Sequence, residues 1–251
     1  MANLDLIRSL NLQYKKASPI TEEIKLFAIN EQFESNNLEK AIKGSLKNLG
    51  VDYTLYFDLG LPAEVVLLYI DVCDFSTLSE HMDGDQISEY FHGYYDIIIP
   101  TIYKFGGEVD KIIGDGIICV FGPPFTDGSI YELIRSADEC CKEIIKDTNR
   151  TPFASKIALH CGLINYFKNK SGLYKEFTMV GKPLTELFRL ESISLDQRIN
   201  YYDDTTVREF YQNKIALKTS HIPSLWTHSI NAITNLKGVS YSNFYSIRNN
   251  N

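Results

Sequence analysis

Six consecutive apolar residues, at positions 65–70, run directly into Asp71, and Asp74 follows three residues later. A run this apolar predicts a strand that is buried in the interior of a sheet. Carboxylates at the end of such a strand are unfavourable unless a cation or hydrogen-bond donors compensate them. The two aspartates therefore indicate a site at this end of the strand, with partners supplied by other parts of the chain.

A second pair of strand-like runs lies around the tripeptide Gly-Asp-Gly at 114–116, with Asp115 in the middle. Glycine and aspartate between two apolar runs predict a β-hairpin. A helical pattern over residues 85–107 connects the first strand to this hairpin, and Pro100 is expected to end that helix early or to kink it. A right-handed crossover makes the first strand and the hairpin neighbours, which brings Asp71 close to Asp115.

The remaining patterns complete a β-α-β-β-α-β order. This order predicts an α+β fold with a ferredoxin-like βαββαβ core, a mainly antiparallel sheet and additional elements. His160 is expected within a strand as a core histidine. The predicted helices are 129–147 and 182–192, and the predicted strands are 156–167, 176–181, 198–204, 229–238 and 243–247.

The composition indicates a protein with one large domain, because 44% of its 251 residues are hydrophobic. Residues 1–60 have helical spacing and are expected to form a helical N-terminal extension to the main domain, residues 61–251. The net charge of −7 argues against nucleic-acid or membrane-surface binding, and no apolar stretch approaches the roughly 20 residues of a membrane helix. Five cysteines without a CxxC pair, and no secretory signal, predict free thiols in the cytoplasm.

Asp71 and Asp115 are the candidate metal ligands, since two carboxylates held side by side repel each other unless a cation lies between them. Carboxylate oxygens suit Mg²⁺ or Mn²⁺, and two such ions activate an attacking oxygen and stabilise a leaving phosphate. The alternative is that Asp115 serves only as a turn residue. Backbone N–H groups after Asp71 suit a phosphate, and the hydroxyls of Ser76 and Thr77 either join them or cap the next turn.

Four segments together resemble the catalytic domain of class III nucleotide cyclases, the adenylate and guanylate cyclase family. The resemblance covers about residues 64–191, with a weaker similarity to residue 247, and the hairpin segment is its most specific part. It implies the α+β fold of that family, a nucleoside triphosphate substrate and a homodimer with active sites at the interface. The four segments are YIDVCDFSTLSE, GGEVDKIIGDGIICVFG, ALHCGLINYF and EFTMVGKPLTELFRLES.

The resemblance assigns metal and phosphate roles to the first segment and the hairpin. Asp71 and Asp115 match the two metal aspartates, which bind two Mg²⁺ or Mn²⁺ ions, and Val72 would add its backbone carbonyl. Phe75 and Ser76 match the loop that holds the triphosphate.

The resemblance also assigns roles in binding the base and the phosphates, and it implies that the base-reading residues and the arginine come from the partner of the subunit that supplies the metal aspartates. Lys111 and Thr178 match the pair that contacts the base, and Arg189 matches the arginine that stabilises charge on the transferred phosphoryl group. Lys237 resembles the late lysine at the terminal phosphates. In the alternative interpretation, Lys111 is only an exposed strand residue, Thr178 is an ordinary strand threonine and Arg189 forms a surface ion pair.

Three residues depart from the family pattern. Thr185 replaces a usual asparagine, Asp74 stands where a glycine or another small residue is common, and Tyr69 replaces a phenylalanine of the base pocket. These departures favour a cyclase that acts on UTP or CTP, like the pyrimidine cyclases of anti-phage Pycsar signalling. The alternatives are an adenylate cyclase, which Lys111 and Thr178 favour, and an inactive nucleotide-binding or dimerisation module.

Overall fold

The computed structural model describes residues 56–57, 59–169, 176–216 and 225–250. The predicted helical extension, residues 1–60, lies outside the described residues except for its last few positions. Its boundary at residue 61 therefore stays a prediction. The Leu61 N–H donates to the Tyr56 carbonyl at 3.0 Å, one residue before the first strand.

The described elements follow the predicted β-α-β-β-α-β order. The helices are α1 (Phe75–Leu78), α2 (Gly84–Lys104), α3 (Ile130–Thr148), α4 (Lys182–Glu191) and α5 (Thr206–Ala216). The strands are β1 (Pro62–Val72), β2 (Glu108–Ile113), β3 (Gly116–Phe121), β4 (Ser155–Asn169), β5 (Glu176–Val180), β6 (Arg198–Tyr202), β7 (Trp226–Ala232) and β8 (Asn243–Asn249).

Within the described part of the chain, the strands form one sheet in the order β2-β3-β1-β4-β6-β8-β7, and β5 forms a hairpin with β4. β1 is antiparallel to both β3 and β4, and β2 is antiparallel to β3. The order β2-β3-β1-β4 is that of a ferredoxin-like core. The predicted fold class is therefore confirmed, with β6, β7 and β8 as the additions.

The two faces of the sheet are covered differently. Alternate residues of a strand point to opposite faces, and Val66 and Leu68 pack into a core with α2, α3 and α5. Leu67 and Tyr69 pack on the other side with residues of α4 and of the chain end. We call this second side the α4 face. Because Asp71 continues the odd-numbered series of β1, it also lies on the α4 face.

Helix α2 begins at a capping box, in which Asp83 and Gln86 exchange side-chain and backbone hydrogen bonds of 2.9 Å. Of the two effects predicted for Pro100, an early end of α2 is wrong, because the helix continues through Pro100 to Lys104, and a kink stays a prediction. The residues beyond the proline are held by packing, since Ile102 is fully buried and Thr101 is only 8% exposed. This burial offsets the hydrogen bond that a proline cannot donate.

Helix α5 was not predicted from the sequence. Only Val207, Phe210 and Tyr211 bury apolar side chains along it, which is too short a pattern to stand out. Its position depends on a contact with α3, where Lys214 and Tyr211 both reach Asp138 at 2.7 Å. No helix among the described residues has the length and apolar content to span a membrane.

Candidate functional site

Asp71 and Asp115 meet at one end of the sheet. Asp71 is the penultimate residue of β1, where it lies opposite Lys156 of β4. Ile70 pairs with Ile117 of β3, so Asp71 lies beside the tight turn that carries Asp115. The crossover through α2 thus brings the two carboxylates together, as the sequence predicts.

Among the residues that the structure describes, the surroundings of Asp71 are short of positive charge. Burial, followed by the charge of Asp115, raises the pKa of Asp71 to about 6. Lys156 opposes this shift through an ion pair of 3.2 Å between its Nζ and Asp71 Oδ2. The same Nζ lies 2.9 Å from Glu191 Oε1 on α4, so one ammonium group serves two carboxylates.

Lys156 and Glu191 are site residues that the sequence analysis missed. Burial alone would lower the pKa of Lys156, but the carboxylates of Glu191 and Asp71 outweigh burial and raise it. Two weak signals point to them in the sequence. Lys156 is a charged residue at the entrance of an apolar strand, and Glu191 follows Arg189 by two positions on the same helix.

The carboxylates fit a divalent metal site. Mutual repulsion contributes to the raised pKa of Asp71, and a cation between Asp71 and Asp115 would remove that repulsion. Over residues 59–169, 176–216 and 225–250, no three acidic, histidine or cysteine side chains form a complete metal-binding group. Mg²⁺ is commonly held by one or two carboxylates together with substrate phosphates and water. Two aspartates and the Val72 carbonyl match that incomplete set.

The predicted phosphate loop is a turn that leads into the short helix α1. Asp74 has φ 55° and ψ 28°, the left-handed region that glycine adopts most easily and that aspartate tolerates. This backbone conformation explains why a small residue suits the position, and the Asp74 side chain is exposed. The Asp74 carbonyl accepts from the N–H groups of Thr77 and Leu78, both at 3.0 Å.

Phe75 anchors this loop, and Ser76 is exposed on it. The Phe75 ring lies 5.4 Å from the Tyr90 ring and 5.0 Å from the Phe91 ring, centroid to centroid, on α2. Aromatic pairs at these distances stabilise the position of a loop. Ser76 and its neighbours therefore sit on an anchored turn next to Asp71 in the chain, where a triphosphate was predicted.

Tyr69 and Lys111 lie in one row across the sheet. Both residues pair with Ile118, Tyr69 from β1 and Lys111 from β2. Directly paired residues share a face, so the two side chains are on the α4 face, about 10 Å apart by two strand spacings. Lys111 follows a bulge at Asp110 and forms an ion pair of 3.0 Å with the Asp110 carboxylate.

Tyr69 narrows the space in this row. Its ring covers Gly116 so closely that a Cβ there would lie 2.2 Å from a ring carbon. The ring also makes an edge contact with Phe188 of α4, with centroids 5.5 Å apart. Burial, together with the charges of Asp71 and Glu191, raises the pKa of Tyr69 to about 12. The hydroxyl therefore stays protonated near neutral pH and is available as a hydrogen-bond donor.

The other predicted residues lie on β5, on α4 and in the loop between β7 and β8. Thr178 is half-buried on β5, opposite Phe167 of β4. Thr185 and Arg189 are exposed on α4, and Lys237 is exposed in the loop before β8. The strongest charges on Asp71 are those of Asp115, Lys156 and Glu191. The structure does not bring Arg189 or Lys237 into that group.

No protein-family model matches the chain. A stretch of 98 residues, 39% of the chain, is 30% identical to a photoactivated adenylate cyclase subunit alpha-like protein of Euglena gracilis. A stretch of 143 residues is 23% identical to the photoactivated adenylate cyclase subunit alpha of the same organism. The chain spans 9% and 13% of the length of these two proteins.

Solved structures give a longer match. The catalytic core of a rhodopsin-guanylyl cyclase with converted specificity, in complex with ATPalphaS, superposes with a TM-score of 0.59 and 17% identity, over 76% of this chain and 98% of that one. The adenylyl cyclase CyaB from P. aeruginosa superposes with a TM-score of 0.56 and 17% identity, over 74% and 94%. The sequence and structure comparisons agree, and the chain has the fold of class III nucleotide cyclase catalytic domains.

Proposed function

We propose that the protein is a nucleotide cyclase, which converts a nucleoside 5′-triphosphate to a 3′,5′-cyclic nucleotide and pyrophosphate. The observation that carries this proposal is the pairing of Asp71 and Asp115 at one end of the sheet. A purely structural site would compensate these carboxylates with equal positive charge. Here, within the described part of the chain, a single lysine is shared between Asp71 and Glu191.

The proposed reaction is an in-line attack of the ribose 3′-oxygen on the α-phosphorus, which breaks the bond to the β-phosphate oxygen. Asp71, Asp115 and the Val72 carbonyl would hold two Mg²⁺ or Mn²⁺ ions, whose chemistry is to acidify the 3′-hydroxyl and neutralise phosphate charge. Phe75 anchors the turn whose N–H groups, with the Ser76 hydroxyl, receive the triphosphate. The 3′-hydroxyl proton leaves to solvent, so no nucleophilic serine or cysteine is required.

Arg189 completes the proposed site from a second copy of the chain, and Lys237 adds a contact to the terminal phosphates. Arg189 would stabilise the charge that develops on the transferred phosphoryl group, and Lys237 would hold the leaving pyrophosphate. Both are exposed and neither is among the charges that act most strongly on Asp71. This placement supports a homodimer with two equivalent sites at its interface.

We favour a pyrimidine nucleotide, UTP or CTP, as the substrate. Tyr69 fills the space over Gly116, which favours a small base, and its protonated hydroxyl suits a carbonyl oxygen of a pyrimidine. Thr185 reaches less far than the asparagine that it replaces. The cyclic product, cUMP or cCMP, would serve as an anti-phage second messenger in the cytoplasm, which agrees with five free cysteines.

ATP is the second candidate substrate. Lys111 lies in the same row as Tyr69, and Thr178 is half-buried on β5, which is the pair that the family resemblance connects with adenine. The similarity to photoactivated adenylate cyclases supports this candidate as well.

The test is to incubate the purified protein with ATP, GTP, CTP or UTP, each with Mn²⁺, and to identify the products by mass spectrometry. We expect cUMP or cCMP as the main product. Cyclic AMP alone would overturn the pyrimidine preference but would support the cyclase. Nucleotide binding without any cyclic product would overturn the cyclase and favour a binding or dimerisation module.

A further inference from the structure

Lys156 places one ammonium group between two carboxylates that belong to different elements. It pairs with Asp71 across β4 and β1, and directly paired residues share a face, so both side chains lie on the α4 face. The Lys156 Nζ lies 3.2 Å from Asp71 Oδ2 and 2.9 Å from Oε1 of Glu191, the last residue of α4. A small rotation within the lysine side chain is therefore enough to favour one carboxylate over the other.

The backbones around this ammonium group are fixed by packing, whereas the lysine side chain is flexible. Lys156 lies on β4 between Ser155 and Ile157, which are both fully buried. Leu187 and Leu190 are fully buried as well, and they hold α4 against the sheet. A lysine ammonium, by contrast, is carried on a flexible stem of four carbons. The part of this group that can move is therefore the ammonium.

A buried polar contact also connects α4 to β4. Glu186 Oε2 lies 3.1 Å from Nε2 of His160, and the Tyr202 hydroxyl donates to the Glu186 carbonyl at 3.0 Å. His160 is 2% exposed within β4, which confirms the prediction of a core histidine. These contacts hold the C-terminal half of α4 in place, so Glu191 keeps a fixed position relative to β4 and Lys156.

The charges of this group do not balance within residues 59–169, 176–216 and 225–250. When ionised, Asp71, Asp115 and Glu191 carry three negative charges, and Lys156 carries one positive charge. The two negative charges that remain equal the charge of one divalent cation. The side chains of Lys156, Asp71 and Glu191 are 21%, 15% and 18% exposed, so water screens their interactions only in part. An ammonium group this close to Asp71 therefore opposes the binding of a cation there.

We propose that Lys156 is an exchangeable counter-ion of the metal site, which neutralises Asp71 before a metal binds and transfers to Glu191 when Asp71 binds a divalent cation. This inference rests on the metal site of the proposed function. Because Lys156 competes with the metal for Asp71, the nucleotide-free protein binds Mg²⁺ or Mn²⁺ more weakly than its carboxylates alone would. The phosphates of a bound nucleotide then supply the negative charge that favours metal binding.

A matched pair of lysine variants tests the competition. The measurement is a Mn²⁺ titration of the nucleotide-free protein, in which electron paramagnetic resonance detects the free ion. Lys156→Gln should lower the Kd for Mn²⁺ about 10-fold, because it removes the competing ammonium group. Lys142→Gln removes an ammonium group that is also 21% exposed but pairs with Asp138 on α3, so it should leave the Kd within about 2-fold. An unchanged or higher Kd in Lys156→Gln would overturn the proposal.

Glu191→Gln tests the transfer and should change the Kd in the opposite direction. Without the second carboxylate the ammonium group stays on Asp71, so we expect the Kd for Mn²⁺ to rise about 5-fold. In a Lys156→Gln background the same change should have an effect of less than about 2-fold. Equal effects in both backgrounds would mean that Glu191 acts by its charge alone, and would overturn the transfer. An unchanged Kd in Glu191→Gln would overturn it even if Lys156→Gln failed to fold.

Thermal unfolding gives a second readout that does not depend on activity. A given Mn²⁺ concentration should raise the Tm of Lys156→Gln, relative to its value in EDTA, by more than it raises the Tm of wild type. Equal increases would overturn the proposal. If wild type formed no cyclic nucleotide while the Mn²⁺ affinities changed as expected, the proposed function would fall and the role of Lys156 would stand. Cyclic product together with unchanged affinities would overturn the role of Lys156 alone.

Discussion

Asp138 and Asp71 are both carboxylates placed against the hydrophobic core, yet their surroundings shift their pKa values in opposite directions. Asp138 has no exposed surface, and burial alone would raise its pKa. The ammonium groups of Lys142 and Lys214 outweigh burial and hold the pKa of Asp138 below its usual range. Each lies 2.7 Å from the carboxylate, and the Tyr211 hydroxyl adds a third donor at 2.7 Å.

Asp71 has weaker compensation. Among the residues that the structure describes, its one ammonium partner is Lys156, which is also bound to Glu191, and the charge of Asp115 adds repulsion. The two sites show the difference between a carboxylate that completes the fold and one that is left short of positive charge. A divalent cation and a nucleotide would supply what the Asp71 site lacks.

The largest expected effect is on turnover in Asp71→Asn. An asparagine keeps the shape of the side chain but binds a divalent cation poorly, so we expect kcat to fall about 10³-fold or more. The metal-free variant should be at least as stable as wild type in EDTA, because the amide removes the repulsion with Asp115. Product formation with Mn²⁺ measures the loss of turnover, and thermal unfolding in EDTA measures the stability. Retained turnover would show that Asp71 is not a metal ligand.

The next largest effect is on stability in Asp138→Asn. This change removes the counter-charge of two ammonium groups on partly exposed side chains, Lys142 at 21% and Lys214 at 40%. Water screens part of that charge, so we expect a cost of about 1–3 kcal/mol, mainly from the buried hydrogen bonds that the carboxylate no longer accepts. Urea unfolding would measure the loss. The activity per folded molecule should stay within 2-fold of wild type, since Asp138 lies between α3 and α5. If the variant were as stable as Asp71→Asn, the two carboxylates would not differ as described.

The surroundings of Asp71 can be predicted from the sequence better than the surroundings of Asp138. The apolar run before Asp71 and the glycines around Asp115 are local patterns, and one crossover rule is enough to bring the two carboxylates together. The backbone conformation of Asp74 also follows from local geometry. The sheet order β2-β3-β1-β4 follows from the order of elements alone.

The contacts that compensate charge are not local. Lys156 meets Asp71 because of the register between β1 and β4, and 26 residues separate His160 from Glu186. Asp138 and Lys214 are 76 residues apart, on α3 and α5. No periodicity in the sequence specifies such pairs, because they depend on how strands align and how helices cross. For the same reason, α5 itself was missed.

A smaller effect is expected in the pH dependence of the metal-free protein. The pKa of Asp71 is raised to about 6 in the folded state, compared with about 4 when unfolded. The stability from this group is fully present below pH 4 and is lost as the pH rises through 6, by up to about 3 kcal/mol.

The measurement is the difference in unfolding free energy between wild type and Asp71→Asn, in EDTA, at pH 4.5 and pH 7. The subtraction cancels the pH dependence that the other carboxylates contribute to the stability of both proteins. Asp138 is one of them, and its lowered pKa makes the protein more stable as the pH rises. We expect wild type to lose stability relative to Asp71→Asn when the pH rises from 4.5 to 7. A difference that does not change with pH would mean that Asp115 and burial do not act on Asp71 as described.

The smallest expected effect concerns base choice in Tyr69→Phe. Burial, together with the charges of Asp71, Glu191 and Asp115, raises the pKa of Tyr69 to about 12, so at neutral pH its hydroxyl carries a proton that it can donate to a base. A phenylalanine keeps the contact with Phe188 and the cover over Gly116 but loses this donor. A hydrogen bond of about 1 kcal/mol corresponds to a change of about 5-fold in the ratio of UTP or CTP turnover to ATP turnover. Tyr211→Phe, next to the compensated Asp138, is the control and should leave the ratio unchanged. An unchanged ratio in Tyr69→Phe would mean that the ring limits the pocket by its size alone, because the hydroxyl is then not in contact with the base.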